Sequence, residues 1–280
     1  MKTIAVLGTG TMGAGVAQIA AQAGHDVIFW NRREASVEKG MGVIQKGLGR
    51  LLKKERISQQ DHDSALARVS GSATLEDVKA ADLVLEAVPE DAELKRELYE
   101  RLGAICSEEV VFATNTSSLS ITELGRSSGR PTKFVGMHFF NPVPAMKLVE
   151  IVRGLETADA TAQAVTDLAE RLGKVPIPVR DMPGFVVNRV VMPMINEAAT
   201  ALQQGVASAE HIDECMKLGC NHPMGPLALA DLVGLDVVWA ILDSLYREFG
   251  DAHHKPCLEI TKRVEAGHLG TKTGRGFYTY

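Results

Sequence analysis

Cysteine is scarce in this sequence: Cys106, Cys215, Cys220 and Cys257 are the only four among 280 residues. None stands in a Cys-x-x-Cys pair or at a metal-ligand spacing, so the sequence predicts four reduced thiols, no disulfide framework and no metal centre. Positive charge is also in short supply. Lys and Arg number 30 against 35 Asp and Glu, and the net charge of -5 argues against a nucleic-acid partner. No segment approaches the roughly 18 consecutive apolar residues of a membrane helix. Residues 1–8 enter a strand pattern directly, without the apolar segment and cleavage site of a signal peptide. Short repeats and low-complexity tracts are missing too. The expectation is a cytoplasmic protein with no metal, nucleic-acid or membrane partner.

What is present is the composition of a globular protein, 45% hydrophobic and 23% charged, with length enough for two ordinary domains. Residues 4–7 read as a buried strand, 12–23 as a helix and 26–30 as a second strand, with Gly24 ending the helix: a βαβ unit. Further apolar runs at 83–87, 110–113, 134–138, 148–152 and 175–179 are separated mainly by helical patterns. This alternation predicts an α/β fold with a doubly wound, mostly parallel sheet. Residues 34–66 are charged and amphipathic and too long for a simple crossover, so they predict an inserted helical pair projecting from the sheet. After residues 181–184 the pattern turns wholly helical, over 185–204, 208–218 and 227–249, with Gly205, Gly219 and Gly250 as stops. The predicted domains are 1–182, which binds a dinucleotide, and 183–280, a helical domain for the substrate site and for dimerisation.

The first strand runs into Gly8-Thr9-Gly10-Thr11-Met12-Gly13. A Gly-x-Gly-x-x-Gly alone is a weak signal, but this one follows a strand and opens a helix, the context in which backbone N–H groups and a helix N-terminus hold a pyrophosphate. At the end of the second strand, where NAD-dependent proteins usually carry an acid for the ribose hydroxyls, stands Asn31-Arg32-Arg33. Without the carboxylate a 2'-phosphate meets no repulsion, and the arginines can pair with it, Arg32 foremost. NADP(H) is therefore the expected cofactor, with NAD(H) still possible if Arg32 and Arg33 are only exposed helix-start residues.

Downstream lie Asn115-Thr116-Ser117-Ser118-Leu119, His138-Phe139-Phe140-Asn141-Pro142-Val143-Pro144, and Met146-Lys147-Leu148-Val149-Glu150. Pro183 through Arg189 (Pro-Gly-Phe-Val-Val-Asn-Arg), His222-Pro223-Met224-Gly225-Pro226 and Lys272 through Tyr278 follow in order. With these motifs the chain resembles the 3-hydroxyacyl-CoA dehydrogenase family over nearly its full length, and in its length it is similar to the bacterial 3-hydroxybutyryl-CoA dehydrogenases. The resemblance implies reversible oxidoreduction of a short-chain L-3-hydroxyacyl-CoA and its 3-keto partner, by hydride transfer with a nicotinamide cofactor, in a homodimer. It also implies His138 as catalytic acid/base, Glu150 as its partner, and Ser117 and Asn188 near the substrate oxygen.

The chemistry agrees with that assignment. A 3-hydroxyl proton must leave as hydride departs from C3, an imidazole can take it, and a nearby carboxylate fixes the ring's orientation and tautomer. Taken singly, His138 reads as structural, Glu150 as a surface strand residue, Ser117 as the cap of the helix near Ile121, and Asn188 as solvent-facing. By resemblance Glu90 and Lys95 lie near the cofactor, although a solvated helix start is their plain alternative. Asn115, at a strand's carboxyl end, reaches toward the nicotinamide ribose; Asn141 positions substrate or organises its Pro-bounded turn. Arg50 and Lys54 resemble basic positions that bind CoA phosphates. Two other functions stay open: a dehydrogenase of a free hydroxy acid or sugar acid, and a non-catalytic dinucleotide-binding protein.

Overall fold

A computed structural model describes residues 1–280, which divide into two compact units, Met1–Met182 and Pro183–Tyr280. In the first unit the order is β1 (Thr3–Leu7), α1 (Thr11–Gln22), β2 (Asp26–Trp30), α2 (Glu34–Lys53), α3 (Gln59–Ala67), β3 (Val69–Ser72), β4 (Leu83–Glu86), α4 (Ala92–Ile105) and β5 (Val111–Thr114). It continues with α5 (Ile121–Ser127), β6 (Phe134–Phe139), β7 (Leu148–Arg153), α6 (Asp159–Arg171) and β8 (Val175–Arg180). One eight-stranded sheet results, ordered β3-β2-β1-β4-β5-β6-β7-β8. The chain reverses its direction of growth across the sheet at the β1/β4 junction, the crevice where doubly wound folds bind their ligands.

The inner strands β1, β4, β5 and β6 read as apolar runs because the sheet is covered there on both faces, while the edge strand β8 is largely exposed. Ile4, Val6, Phe29, Leu83 and Phe112 are almost fully buried. α1 is buried on nearly every side, from Gly13 to Ala21, since it lies between the sheet and the helical pair. That pair departs from expectation in two ways. It does not simply project: Ile44 and Leu48 of α2 and Ala65 of α3 join the same core as α1, each large aliphatic contributing about 1.5–3 kcal/mol by its burial. It also forms the crossover to a strand the sequence does not announce, since β3 is only Val-Ser-Gly-Ser and pairs with β2 through its backbone.

All pairings are parallel except β6 with β7. The connection between these two, residues 140–147, is shorter than the dozen or so residues a parallel crossover needs, so the chain must turn back. Buried Lys174 steadies this connection by donating from Nζ to the carbonyls of Val143 and Met146, at 2.5 and 2.8 Å.

The second unit consists of α7 (Val187–Gln203), α8 (Ala209–Cys220), α9 (Pro226–Val233), α10 (Leu235–Phe249) and α11 (Leu258–Glu265) around a core that includes Ile195, Leu227, Val238, Leu242 and Ile260. The helix expected over 227–249 is two helices. Gly234, at φ +102°, breaks it, a conformation that no α-helix accommodates. α8 runs past Gly219 and stops at Asn221, which takes the left-handed cap. The C-terminal tail is pinned by buried Asp231, which accepts from the backbone N–H groups of Phe277 and Tyr278, both at 2.9 Å.

Candidate functional site

The glycine turn between β1 and α1 has room in one direction only. A Cβ on Gly8 would lie 2.3 Å from the Ala87 carbonyl oxygen, and one on Gly13 would lie 1.8 Å from the carbonyl oxygen of Gly8. Neither position tolerates a side chain. A Cβ on Gly10 would meet nothing within 4 Å, so this glycine faces open space, as a backbone cradle for a pyrophosphate must. The groove there, about 550 Å³, is lined by Gly8, Gly10, Thr11 and Met12 from the turn and by Ala87, Val88 and Pro89 from the loop after β4. These residues fit a dinucleotide.

From the segment after β2 the groove takes Asn31, Ser36 and Lys39. The Asn31 amide is fixed at both ends: Nδ2 donates to Thr9 Oγ1 at 3.1 Å, and Oδ1 accepts from the Arg33 N–H at 3.1 Å. Arg32 and Arg33, next in sequence after Asn31, are exposed and do not join the groove lining, and Arg33 is also the residue that precedes the first turn of α2. Lys39 and Ser36, one helical turn apart, were not singled out in the sequence. Their spacing on the α2 face that follows Asn31 was the available signal.

At the far side of the switch point the antiparallel register sets His138 directly opposite Glu150. His138 Nδ1 and Glu150 Oε2 are 2.7 Å apart, with side chains 8% and 1% exposed. A carboxylate only accepts, so Nδ1 carries the hydrogen and the ring's orientation is set. The Phe140 ring lies 4.5 Å from the imidazole, centroid to centroid. Glu150 is therefore not the surface strand residue it can resemble when read singly.

The segment after β5 is held by one carboxylate. Glu90 Oε1 accepts from Thr116 Oγ1 at 2.5 Å, from the Ser117 N–H at 2.9 Å, and from the N–H and Oγ of Ser118 at 3.2 and 3.0 Å. Its other oxygen meets Lys95 Nζ at 2.8 Å. Lys95 is buried and reaches Glu86 Oε1 as well, at 3.1 Å. Burial works to raise the Glu90 pKa, but Lys95 and the hydrogen bonds from Thr116 and Ser117 outweigh it and hold the carboxyl at about 2. A solvated helix start is thus the wrong picture of Lys95. Ser117 does not cap the following helix either; Ser120 does, accepting from the Glu123 N–H.

Asn115, half-buried at the carboxyl end of β5, accepts from the Phe139 N–H through Oδ1 at 2.9 Å, which ties this segment to the residue after His138. Asn141 is exposed and precedes a cis proline, Pro142. Arg50 and Lys54 are exposed at the C-terminal end of α2 and do not join the groove lining. Asn188 is buried in the first turn of α7, in the second unit, and is not solvent-facing. Glu86, Tyr99, Thr114 and Thr116 were missed in the sequence, although a glutamate ending the apolar run Leu-Val-Leu-Glu was a visible anomaly.

The sheet order, the switch-point crevice and the glycine turn define a dinucleotide-binding protein. Residues 3–182 match the family described as 3-hydroxyacyl-CoA dehydrogenase, NAD binding domain, and residues 184–280 match its C-terminal domain. The 3-hydroxybutyryl-CoA dehydrogenase of Clostridioides difficile is 48% identical over 277 residues, covering 99% of each chain. The human mitochondrial hydroxyacyl-coenzyme A dehydrogenase is 39% identical, over all of this chain and 91% of that one. Among solved structures, (S)-3-hydroxybutyryl-CoA dehydrogenase from Ralstonia eutropha is similar with a TM-score of 0.98 and 50% identity, over 100% of this chain and 99% of that one. The chain belongs to the 3-hydroxyacyl-CoA dehydrogenase family.

Proposed function

We propose that the protein interconverts short-chain L-3-hydroxyacyl-CoA and 3-ketoacyl-CoA, with acetoacetyl-CoA and 3-hydroxybutyryl-CoA as the pair. The observation that carries this reading is the buried His138–Glu150 pair, 2.7 Å apart, on a sheet that also bears a nucleotide-shaped glycine turn. The dinucleotide supplies or accepts the hydride at C3. With Nδ1 engaged by Glu150, proton transfer to or from the C3 oxygen falls to Nε2 of His138. Glu150 stabilises the imidazolium that must stand ready in the reductive direction. Ser117 orients the C3 oxygen, while Arg50 and Lys54 meet the phosphates of CoA.

NADP(H) is the preferred cofactor in this reading, with NAD(H) accepted less well. What supports it is the amide at position 31 in place of a carboxylate, held by Thr9, with exposed Arg32, Arg33 and Lys39 close by in sequence. NADP(H) use makes reduction the cellular direction. Exposed Val190, Leu218 and Leu232 in the second unit support its role as a homodimer surface. A cytoplasmic location goes with this chemistry, and no helix is long and apolar enough to cross a membrane.

The test is the initial rate of acetoacetyl-CoA reduction with NADPH and with NADH, each across a cofactor series. Higher kcat/KM with NADPH is expected. Higher efficiency with NADH would discard the 2'-phosphate reading and keep the reaction; no turnover with either would discard the reaction.

A further inference from the structure

Glu86 is wholly buried at the end of β4, in register with Leu7 of β1 and Thr114 of β5 and one position after the apolar run Leu-Val-Leu. A carboxylate there is expensive. Burying an ion costs several kcal/mol unless good partners surround it, and an apolar residue of similar volume is often neutral or better for stability. Stability therefore does not explain the glutamate. Its partners do.

Oε1 accepts from the Val88 N–H at 2.7 Å and faces Lys95 Nζ at 3.1 Å. Oε2 accepts from Thr114 Oγ1 at 2.7 Å, with the Tyr99 hydroxyl at 3.4 Å donating also to the Ala113 carbonyl at 3.0 Å. Val88 belongs to the loop that lines the dinucleotide groove. Thr114 is the last residue of β5, immediately before the segment 115–118 that Glu90 gathers. Lys95, pulled between the two carboxylates, links Glu86 to Glu90. One buried carboxyl thus touches the base of both loops, directly at Val88 and Thr114 and indirectly through Lys95 and Glu90 at Ser117.

We infer that Glu86 is a positioning residue that ties the dinucleotide-groove loop to the loop carrying Ser117, so that cofactor binding and substrate-oxygen placement depend on the same buried group. This rests on the reaction proposed above for its second half, and on the glycine-turn groove alone for its first. Glu86 touches neither substrate nor cofactor. Lys95 Nζ stands between it and Glu90, and donors of different origins converge on it, working against the burial that raises its pKa.

The decisive variant is Glu86→Gln, which keeps the volume and removes the charge. Three quantities are read on the full chain: NADH affinity by titration, kcat with acetoacetyl-CoA, and the melting temperature. NADH affinity is expected to weaken roughly 5-fold or more and kcat to fall roughly 10-fold or more, the order of a lost charged hydrogen bond. Ser117→Ala is expected to lower kcat alone. Combined with Glu86→Gln it should lower kcat by clearly less than the product of the two factors, because both act through one loop. A purely structural glutamate would lower the melting temperature and leave NADH affinity and kcat within twofold; that result, or losses that multiply, overturns the inference. If the native protein does not turn over acetoacetyl-CoA, the proposed reaction fails, and the NADH titration still decides the first half. Should Glu86→Gln not fold, Thr114→Val deletes one donor to the carboxyl and is expected to show the same paired changes, roughly 3-fold each.

Discussion

Replacing Glu150 with glutamine isolates what its charge contributes. The side chain is 1% exposed and its Oε2 lies 2.7 Å from His138 Nδ1, so glutamine fits the same space. A charge-assisted hydrogen bond contributes ~1.5–3 kcal/mol and a neutral one ~1, but in this site the difference counts mainly in the transition state, where the imidazole gains or loses its charge. Glutamine can also turn its amide NH2 toward Nδ1, which forces the proton onto Nε2 and leaves no base for the oxidative direction. Losing about 2–3 kcal/mol of transition-state stabilisation corresponds to a fall of roughly 30- to 150-fold in kcat. The assay is steady-state reduction of acetoacetyl-CoA and oxidation of 3-hydroxybutyryl-CoA, with NADPH binding titrated separately. We expect kcat to fall in both directions, more in oxidation, with cofactor affinity unchanged within twofold. A kcat within threefold of the native protein in both directions would refute the assigned role of the pair.

Three further outcomes follow from the geometry. Gly10→Ala should fold with an unchanged melting temperature, because its Cβ has free space, yet weaken dinucleotide binding at least ~10-fold by filling the cradle; Gly13→Ala, whose Cβ would fall 1.8 Å from an oxygen, should destabilise the fold itself. Melting curves and cofactor titrations on the two proteins separate these effects. Glu90 has a folded pKa of about 2, below its ordinary 4.5, so its contribution is present above pH 4.5 and lost as the pH falls toward 2. The stability gap between the native chain and Glu90→Gln, measured by urea unfolding, should therefore be constant at neutral pH and shrink below 4.5. Asp231→Ala removes the acceptor of two backbone N–H groups and should cost about 2–4 kcal/mol, read as a lower urea midpoint with earlier proteolysis of residues 275–280.

Much of the fold was legible because buried parallel strands write themselves as short apolar runs. β2 begins and ends at the expected residues, Asp26 and Trp30. β3 escaped because Val-Ser-Gly-Ser has no such run, and its place is dictated by backbone pairing with β2. The break at Gly234 was hidden because one glycine inside a helical pattern gives no sign of the positive φ it adopts. The reversal at β7 could have been found: eight connecting residues cannot carry a parallel crossover. Of the candidate site, the structure brings His138 to Glu150 and Glu90 to Ser117, residues far apart in sequence that only the sheet joins. Thr114 and Tyr99 stayed unread because their partners lie on other strands and helices, so neither spacing nor local pattern marks them; Glu86 is marked only by its place at the end of an apolar run.

The reversal of β7 has a consequence for how this site tolerates change. His138 and Glu150 are rungs of one ladder, so the segment between the strands can gain or lose residues and leave the two facing each other. A single residue inserted into either strand does the opposite. It slips the ladder by one, turns one of the two side chains to the other face of the sheet, and no rotamer brings it back. Variation among descendants of this chain should therefore be closed in the length of the strands and more open in that of residues 140–147, where its limit is the hold of Lys174 on Val143 and Met146.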